Sequence, residues 1–503
     1  MSLLQWKIET KEGTVLKDEI SIFKGGPVHV VKEVPAGETF KRVSAQIRVP
    51  LTEDGRVFMN GYQSGTYVPE RTGKDAIRGL MLMHQAIVDR NSYDRYGDYH
   101  FVEYPNKRGT THGFSWCYFR EGERFQLIAS LDERPGYTMF TYEAPQERLT
   151  IERDCRNVTC ANIGDDFHAF DLFFAEGSEQ EVFDAWFEAL QIKPRTSERL
   201  AGMTTAYGAA QKVSAESIRK EEEGASRVLR QGDLILIGDG WETYVGDWFP
   251  NAKAFPGGMK EVVDAIHEKG FKAGLWLAPF IAEKSSVLMK NNPERAYQRK
   301  DKKWKCGNLW SGFYALDFDN ADVRAYLTET FRRVFDEWGF DLVKLDYLYA
   351  AAPFGSKKES RAARMIRAME WLREVCGDKL ILASNVPLMP AFGIVDYCRV
   401  GPDVTLDWDD KPLMRLAHRE RPSTRHAVGN AIYHRQLDGR AFLSDTDAFF
   451  LRKDNIRLSE SQKVQLYEAC AEYGSVLMSG DDVSQYDDAQ AERYRAIREA
   501  WAE

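Results

Sequence analysis

Two rhythms of apolar and polar positions divide the chain. Over roughly the first 185 residues, short alternating runs at 44–51, 56–63, 114–120, 124–131, 137–144 and 148–154 are separated by the turn clusters TEDGR, DERPG and APQE. A period of two over four to eight residues, bounded by Gly, Pro and Asp, marks half-buried strands. With no helix-length period between them, these runs predict an N-terminal β-sandwich over residues 1–185. The stretch EQEVFDAWFEAL then takes up a helical period and runs into QIKPRTSERLAG. The Pro-containing part, 186–200, reads as the linker between two domains.

From residue 201 the pattern changes. Apolar runs at 203–208, 234–240, 272–279, 341–347, 380–385, 396–403, 440–447 and 475–482 alternate with helical stretches at 215–230, 259–270, 320–339, 361–377, 459–474 and 488–501. Eight buried strands with crossovers predict an α/β fold, a (β/α)8 barrel over 201–503. A doubly wound sheet is the alternative, but eight strands over this length favour closure. Residues 385–396, with VPLMPAFG, leave little room for a full crossover helix.

Composition narrows the function classes. The 503 residues carry 68 Lys+Arg against 77 Asp+Glu, a net charge of −9, so no basic face for nucleic acid is expected. No run of about 18 apolar residues is available to span a membrane. The start, MSLLQWKIETKEG, lacks the pattern of a secretory signal, and the expectation is a cytoplasmic protein. Seven cysteines without a CxxC pair argue against a disulfide framework or a structural zinc site. No GxGxxG, P-loop Lys or HExxH stands in the sequence, so neither cofactor nor metal is expected. Cys306 sits in a loop with no readable partner base and is expected to be an ordinary thiol.

Candidate chemistry gathers at the strand ends, where a barrel of this kind keeps its active site. The predicted strands end in Asp239, Pro279, Asp346, Asn385, Asp403, Asp445/Asp447 and Asp481/Asp482. One such Asp is more often a helix cap than a catalyst, but the repetition along one rim shifts that balance. In LVKLDY, alternation puts Lys344 and Asp346 on the same strand face, which closure turns inward. A buried Lys beside a buried Asp is costly unless paired or functional, and it would keep the carboxylate ionised as a nucleophile requires. Asp403 follows Gly401 and Pro402 on an irregular turn, with Arg399 four residues back, a setting suited to an acid/base. Two carboxylates across one pocket, without metal or nucleotide loop, is the pattern of glycoside hydrolysis.

The blocks IGDGWE, GDWFPNAKAFPGGMKEVVDAIHEKGFKAGLWLAPF, FYALDFDN, LVKLDYLYA, CRVGPD and FLSDTDAFFLR together resemble the bacterial and archaeal α-galactosidases of glycoside hydrolase family 36. The resemblance covers most of 230–482, with a weaker echo in NGYQS at 60–64. It implies a retaining exo-α-glycosidase in which Asp346 is the nucleophile and Asp403 the acid/base. It further implies that Lys344, Arg399, Asp239 and Trp276 contact the sugar, and that a C-terminal β-domain is absent or minimal here. A small glycoside is the implied partner, and homo-oligomers occur in the family. Several positions depart from the family pattern. Gly238 replaces the first of two consecutive Asp, which removes a hydroxyl ligand or opens room for a bulkier group. TTAYG at 204–208 loses a Trp, Gly65 stands where a Trp is usual, and Asn385 ends a strand that usually ends in Cys. The catalytic pair is kept while sugar-contacting positions change, which points to altered specificity. The alternatives are an α-N-acetylgalactosaminidase-like or transglycosylase activity, or a non-catalytic carbohydrate-binding relative.

Overall fold

The computed structural model describes residues 2–22, 25–80, 83–160, 166–207, 213–409 and 418–502. The first part is two antiparallel sheets packed face to face. One runs in the order Val15–Ile22, Ser2–Thr10, Phe40–Arg48, Arg148–Arg153, Thr138–Glu143, Thr110–Phe114. The other runs Gly26–Glu33, Asp166–Gly177, Arg124–Ser130, Trp116–Glu121, Arg56–Met59. Alternate residues such as Leu4, Ile8, Val43, Ile47 and Leu149 meet Val30, Cys117, Ile128 and Leu172 between the layers. Ser115, in the left-handed region at φ 66°, splits the run 114–120 between the two sheets.

The five-stranded sheet is buried on both faces, so Trp116–Phe119 is buried without interruption. Its outer face, with Phe58, Trp116, Tyr118 and Phe125, belongs to the same apolar cluster as the second part of the chain. Between them lies the helix Glu179–Leu190, opened by a reciprocal cap between Ser178 and Glu181 and burying Val182, Phe183, Trp186 and Phe187. The boundary expected at residue 185 falls inside this helix.

The second part is a closed barrel of eight parallel strands in sequence order: β1 Leu200–Thr204, β2 Leu234–Ile237, β3 Lys272–Leu277, β4 Leu342–Leu345, β5 Leu380–Ala383, β6 Tyr397–Arg399, β7 Leu443–Phe449 and β8 Val476–Ser479. Pairing of Leu200 with Val476 closes the ring and excludes an open doubly wound sheet. β1 begins three residues earlier than its sequence-predicted segment and is followed by a 3-10 turn, Thr205–Tyr207. Gly208, the end of that segment, lies outside the described residues. A three-stranded sheet, Ile281–Glu283, Lys305–Gly307 and Phe313–Ala315, stands on the rim after β3 and has no counterpart in the sequence reading.

The crossover from β5 to β6 carries only a 3-10 turn, Met389–Ala391, as its length requires. Where a full helix would cover the barrel, Phe392 instead meets Phe187, Trp186 and Trp116, with ring centroids 5.3, 6.0 and 6.0 Å away. The sandwich and its helix take the place of the missing barrel helix.

Candidate active site

Asp346 is the first residue beyond β4 and is 6% exposed. Its amide donates to the Leu277 carbonyl at 2.9 Å, tying the strand end to β3. Three donors fix the carboxylate: Tyr347 N–H at 2.7 Å and Asn385 Nδ2 at 2.7 Å on Oδ1, and Trp276 Nε1 at 3.2 Å on Oδ2. Charge-assisted bonds of this kind hold a carboxylate in one orientation. Trp276 stands in register with Lys344 on β4, which brings the indole to the same level of the barrel. Tyr347 and Asn385 both take left-handed backbone, at φ 53° and 48°, where β4 and β5 give way to their loops.

Lys344 shares the inward face, but it does not pair with Asp346. Among the described residues it makes neither an ion pair nor a hydrogen bond, although it is only 7% exposed. Its charge instead favours ionisation of Asp239 and Asp447. Trp276, Asn385 and the Tyr347 amide, rather than Lys344, hold the Asp346 carboxylate. The lysine is left as a buried cation facing the well.

Arg399, at the end of β6, is fully occupied. Its guanidinium reaches Asp403 at 2.8 Å, Asp445 at 2.8 Å and Asp447 at 2.7 Å. Burial alone would push this guanidinium down, but the three carboxylates outweigh it and hold it well above its ordinary value. Asp403 is the outermost of the three, its side chain 39% exposed, on the turn after Pro402. Asp447 is buried on a bulge of β7, where the register shifts between Asp445 and Ala448 and Asp447 adopts φ 78°. It accepts from Tyr207 Oη at 2.6 Å and Val404 N–H at 2.8 Å. Burial raises its carboxyl despite Arg399, and Asp403 adds to the rise.

Asp239, two residues beyond β2, is reached by water although protein crowds around it. Its carboxyl is raised, first by that low-dielectric enclosure and then by the charge of Asp346, with Asp403 adding a smaller share. Asp346 and Asp403 likewise act together on Tyr347. Asp239, Asp346 and Asp403 therefore lie within electrostatic reach of one another. Glu242, three residues on, is 7% exposed with Oε2 unpartnered, and burial pushes its carboxyl up to about 8.

Gly238 opens no space. Its N–H donates to Thr205 Oγ1 at 2.9 Å, and a Cβ built on it would lie 2.9 Å from Cα and Cβ of Ala206. The turn after β1 fills the room that the sequence reading left open. Gly65, from the sandwich, abuts the other side of the site: a Cβ there would lie 2.7 Å from Asn385 Oδ1. Cys306 is buried with its thiol pushed up by burial, which suits the inert role expected of it.

Sequence reasoning missed Trp310. This residue, 41% exposed, projects from the rim sheet at φ 53°, its ring 6.2 Å from Trp276 and 5.8 Å from Tyr347. The signal available was the exposed pair Leu309–Trp310 between polar and glycine neighbours in GNLWSG. Tyr207 and Asp447 were named only as parts of strand-end segments, since no spacing rule links the ends of β1 and β7.

The C-terminal rim of this eight-stranded barrel gathers carboxylates beside Trp276 and Trp310, at the end where barrels of this type keep their sites. Residues 233–373, spanning β2 to the helix after β4, match the melibiase family model. An α-galactosidase of Lactobacillus acidophilus is 28% identical over 121 residues, which cover 23% of this chain and 16% of that protein. An A-type blood α-D-galactosamine galactosaminidase of Flavonifractor plautii is 33% identical over 125 residues, covering 23% and 12%. The match therefore spans less than a fifth of the length of either relative. Among solved structures, an α-galactosidase from Thermus thermophilus in complex with p-nitrophenyl α-D-galactopyranoside superposes with a TM-score of 0.76, 24% identity and coverage of 93% and 94%. The family 36 α-galactosidase AgaA of Geobacillus stearothermophilus gives 0.62, 10% identity, and 99% and 75%. At such identities the likeness speaks for the fold. Beside it, the segment 233–373 is the part of the chain that is similar in sequence to the melibiases.

Proposed function

We propose that the protein is a retaining exo-α-glycosidase acting on terminal α-galactosides or close relatives by double displacement. The observation that supports this reading is that Asp346 and Asp403, beyond the ends of β4 and β6, act on the same neighbours, Asp239 and Tyr347, while each is fixed differently. Asp346 is pinned by three donors and keeps its lone pairs aimed, as an attacking carboxylate needs. Asp403 is held at the mouth by Arg399 and meets solvent, where it can protonate a departing oxygen and later deprotonate water. In the first step Asp346 Oδ attacks the anomeric carbon, the glycosidic C–O bond breaks, and the aglycone leaves with the proton of Asp403. In the second, water gives its proton to Asp403 and displaces Asp346, returning the sugar with its original configuration.

Lys344 and Asp239 are the groups suited to sugar hydroxyls, and Trp276 the wall against the ring. A buried ammonium with no partner among the described residues is costly, and a hydroxyl ligand would relieve that cost. The domain division into a sandwich (1–185), a linker (186–200) and a barrel (201–503) belongs to this reading, as do the absence of a cofactor and a cytoplasmic setting.

A second reading, hydrolysis of an α-galactosaminide, is favoured by charge. Among the described residues, Asp239, Asp346, Asp403, Asp445 and Asp447 act on one another with Lys344 and Arg399 as the cations among them. A protonated amine on the sugar would be attracted there, and the Flavonifractor relative is named for such a substrate. The test is turnover of aryl α-galactoside, α-galactosaminide and α-N-acetylgalactosaminide, with proton NMR of the first product. The α-anomer should appear before mutarotation. A β-anomer would remove Asp346 from the nucleophile role, and no turnover of any of them would leave a carbohydrate-binding relative.

A further inference from the structure

The sandwich reaches the reacting carboxylate through two contacts in series. The turn after Arg56–Met59 carries Ser64 and Gly65 to the end of β5, where Ser64 N–H donates to Val386 O at 2.8 Å and Val386 N–H donates to Ser64 Oγ at 3.3 Å. This reciprocal clasp fixes the residue next to Asn385. The Gly65 N–H donates to Gln63 Oε1 at 2.8 Å, and Gln63 Nε2 donates to Tyr96 O at 3.0 Å, so the turn itself is pinned. On the barrel side the Asn385 carbonyl accepts from Tyr349 N–H at 2.9 Å, and its backbone sits at φ 48°. The side chain then has two neighbours. Nδ2 donates to Asp346 Oδ1 at 2.7 Å, and Oδ1 faces Gly65, where a Cβ would stand only 2.7 Å away.

Resting on the reading of Asp346 as the nucleophile, we infer that Asn385 is a positioning residue whose amide aims Asp346, and that Gly65 of the sandwich is required because any larger residue would displace that amide. The two residues are a matched pair. A side chain at 65 and an Asn at 385 compete for the same space, because a Cβ at 65 would meet Oδ1 of the amide that donates to Asp346. Asn385 touches neither the sugar nor the leaving group in this scheme. It acts on the rate through the angle at which Asp346 meets the anomeric carbon, and a small misplacement there costs as much as a hundredfold.

The experiment is a double-mutant cycle on kcat and KM with an activated aryl glycoside, accompanied by thermal midpoints. Asn385→Ala should lower kcat by about ten- to a hundredfold with KM changed less than about threefold. Asn385→Asp keeps the shape, removes the N–H donor and sets a second carboxyl against Asp346, so it should be slower still. Gly65→Ala should reproduce the Asn385→Ala loss without touching Asp346. The double variant should be no slower than the slower single one, because Gly65 acts only through Asn385. Wild-type kcat in Asn385→Ala, or losses that multiply in the double variant, would overturn the inference. If Gly65→Ala does not fold, the order of the Ala and Asp variants at 385 still decides. Asp346→Ala separates the two levels. Activity surviving in that variant defeats the nucleophile reading, whereas an inactive Asp346→Ala beside fully active variants at 385 defeats only the positioning role.

Discussion

Ala206 stands where a side chain on Gly238 would have to go, 2.9 Å from the ideal Cβ position. The bare backbone at 238 and the coiled turn after β1 therefore go together. Gly238→Asp should not restore a sugar ligand. It should destabilise the protein by about 1–3 kcal/mol, because the contact is partly with Ala206 backbone. Adding Ala206→Gly should recover part of that loss in a denaturation experiment. A fully stable Gly238→Asp protein with improved galactoside turnover would contradict this account.

Asp346→Ala should abolish turnover, and azide should partly restore it by attacking from the vacated side to give a β-glycosyl azide. Product analysis by NMR checks the configuration. Near wild-type rates without azide would show that Asp346 forms no covalent intermediate.

The aglycone decides how much Asp403 matters. Asp403→Ala should slow substrates with poor leaving groups far more than aryl glycosides with acidic phenols, since only the former need protonation. An equal loss across a series of phenols would instead assign Asp403 to holding Arg399.

Glu242 should make stability fall with rising pH. Its folded carboxyl is held up to about 8 by burial, against 4.5 for an ordinary glutamate. The folded protein thus keeps a proton that the unfolded chain has lost, and the stability this contributes is complete below about 4.5 and gone above about 8. Glu242→Gln should leave stability at pH 4.5 unchanged and raise it progressively up to pH 8, by at most about 1.4 kcal/mol per unit. Parallel pH–stability curves for the two proteins would exclude a buried, protonated Glu242.

Trp310→Ala should raise KM for oligosaccharides about tenfold, equivalent to about 1.4 kcal/mol of lost stacking, while lowering the thermal midpoint only slightly because the residue is 41% exposed. Unaltered KM across aglycones of increasing length would remove Trp310 from the binding surface.

The eight barrel strands are legible in the sequence because each is an apolar run bounded by turn residues, and LVKLDY also reveals which side of its strand faces inward. β1 is the exception: Thr205–Tyr207 continues the pattern of a strand but coils, since Gly238 leaves a hollow for Ala206 that only the neighbouring strand can reveal. The ligands of Asp346 are less legible. Trp276, Tyr347 and Asn385 sit on three different strand ends, and only the register of β3, β4 and β5 brings them to one carboxylate. The Lys344-x-Asp346 spacing correctly puts both on one face, yet a shared face says nothing of which neighbour reaches first. The bulge that turns Asp447 inward leaves no mark in SDTDAF, where plain alternation treats Asp445 and Asp447 alike.

Phe392 has a consequence for anyone who would trim this protein. A barrel cut free after residue 190 would carry an oily flank where Phe392 now meets Phe187 and Trp186, and it would also lose the turn that clasps Val386. Such a fragment should clump rather than catalyse. The two parts of the chain are for this reason a poor choice for modular exchange: a sandwich borrowed from another protein would have to fit a greasy seam and a reacting carboxylate at the same time.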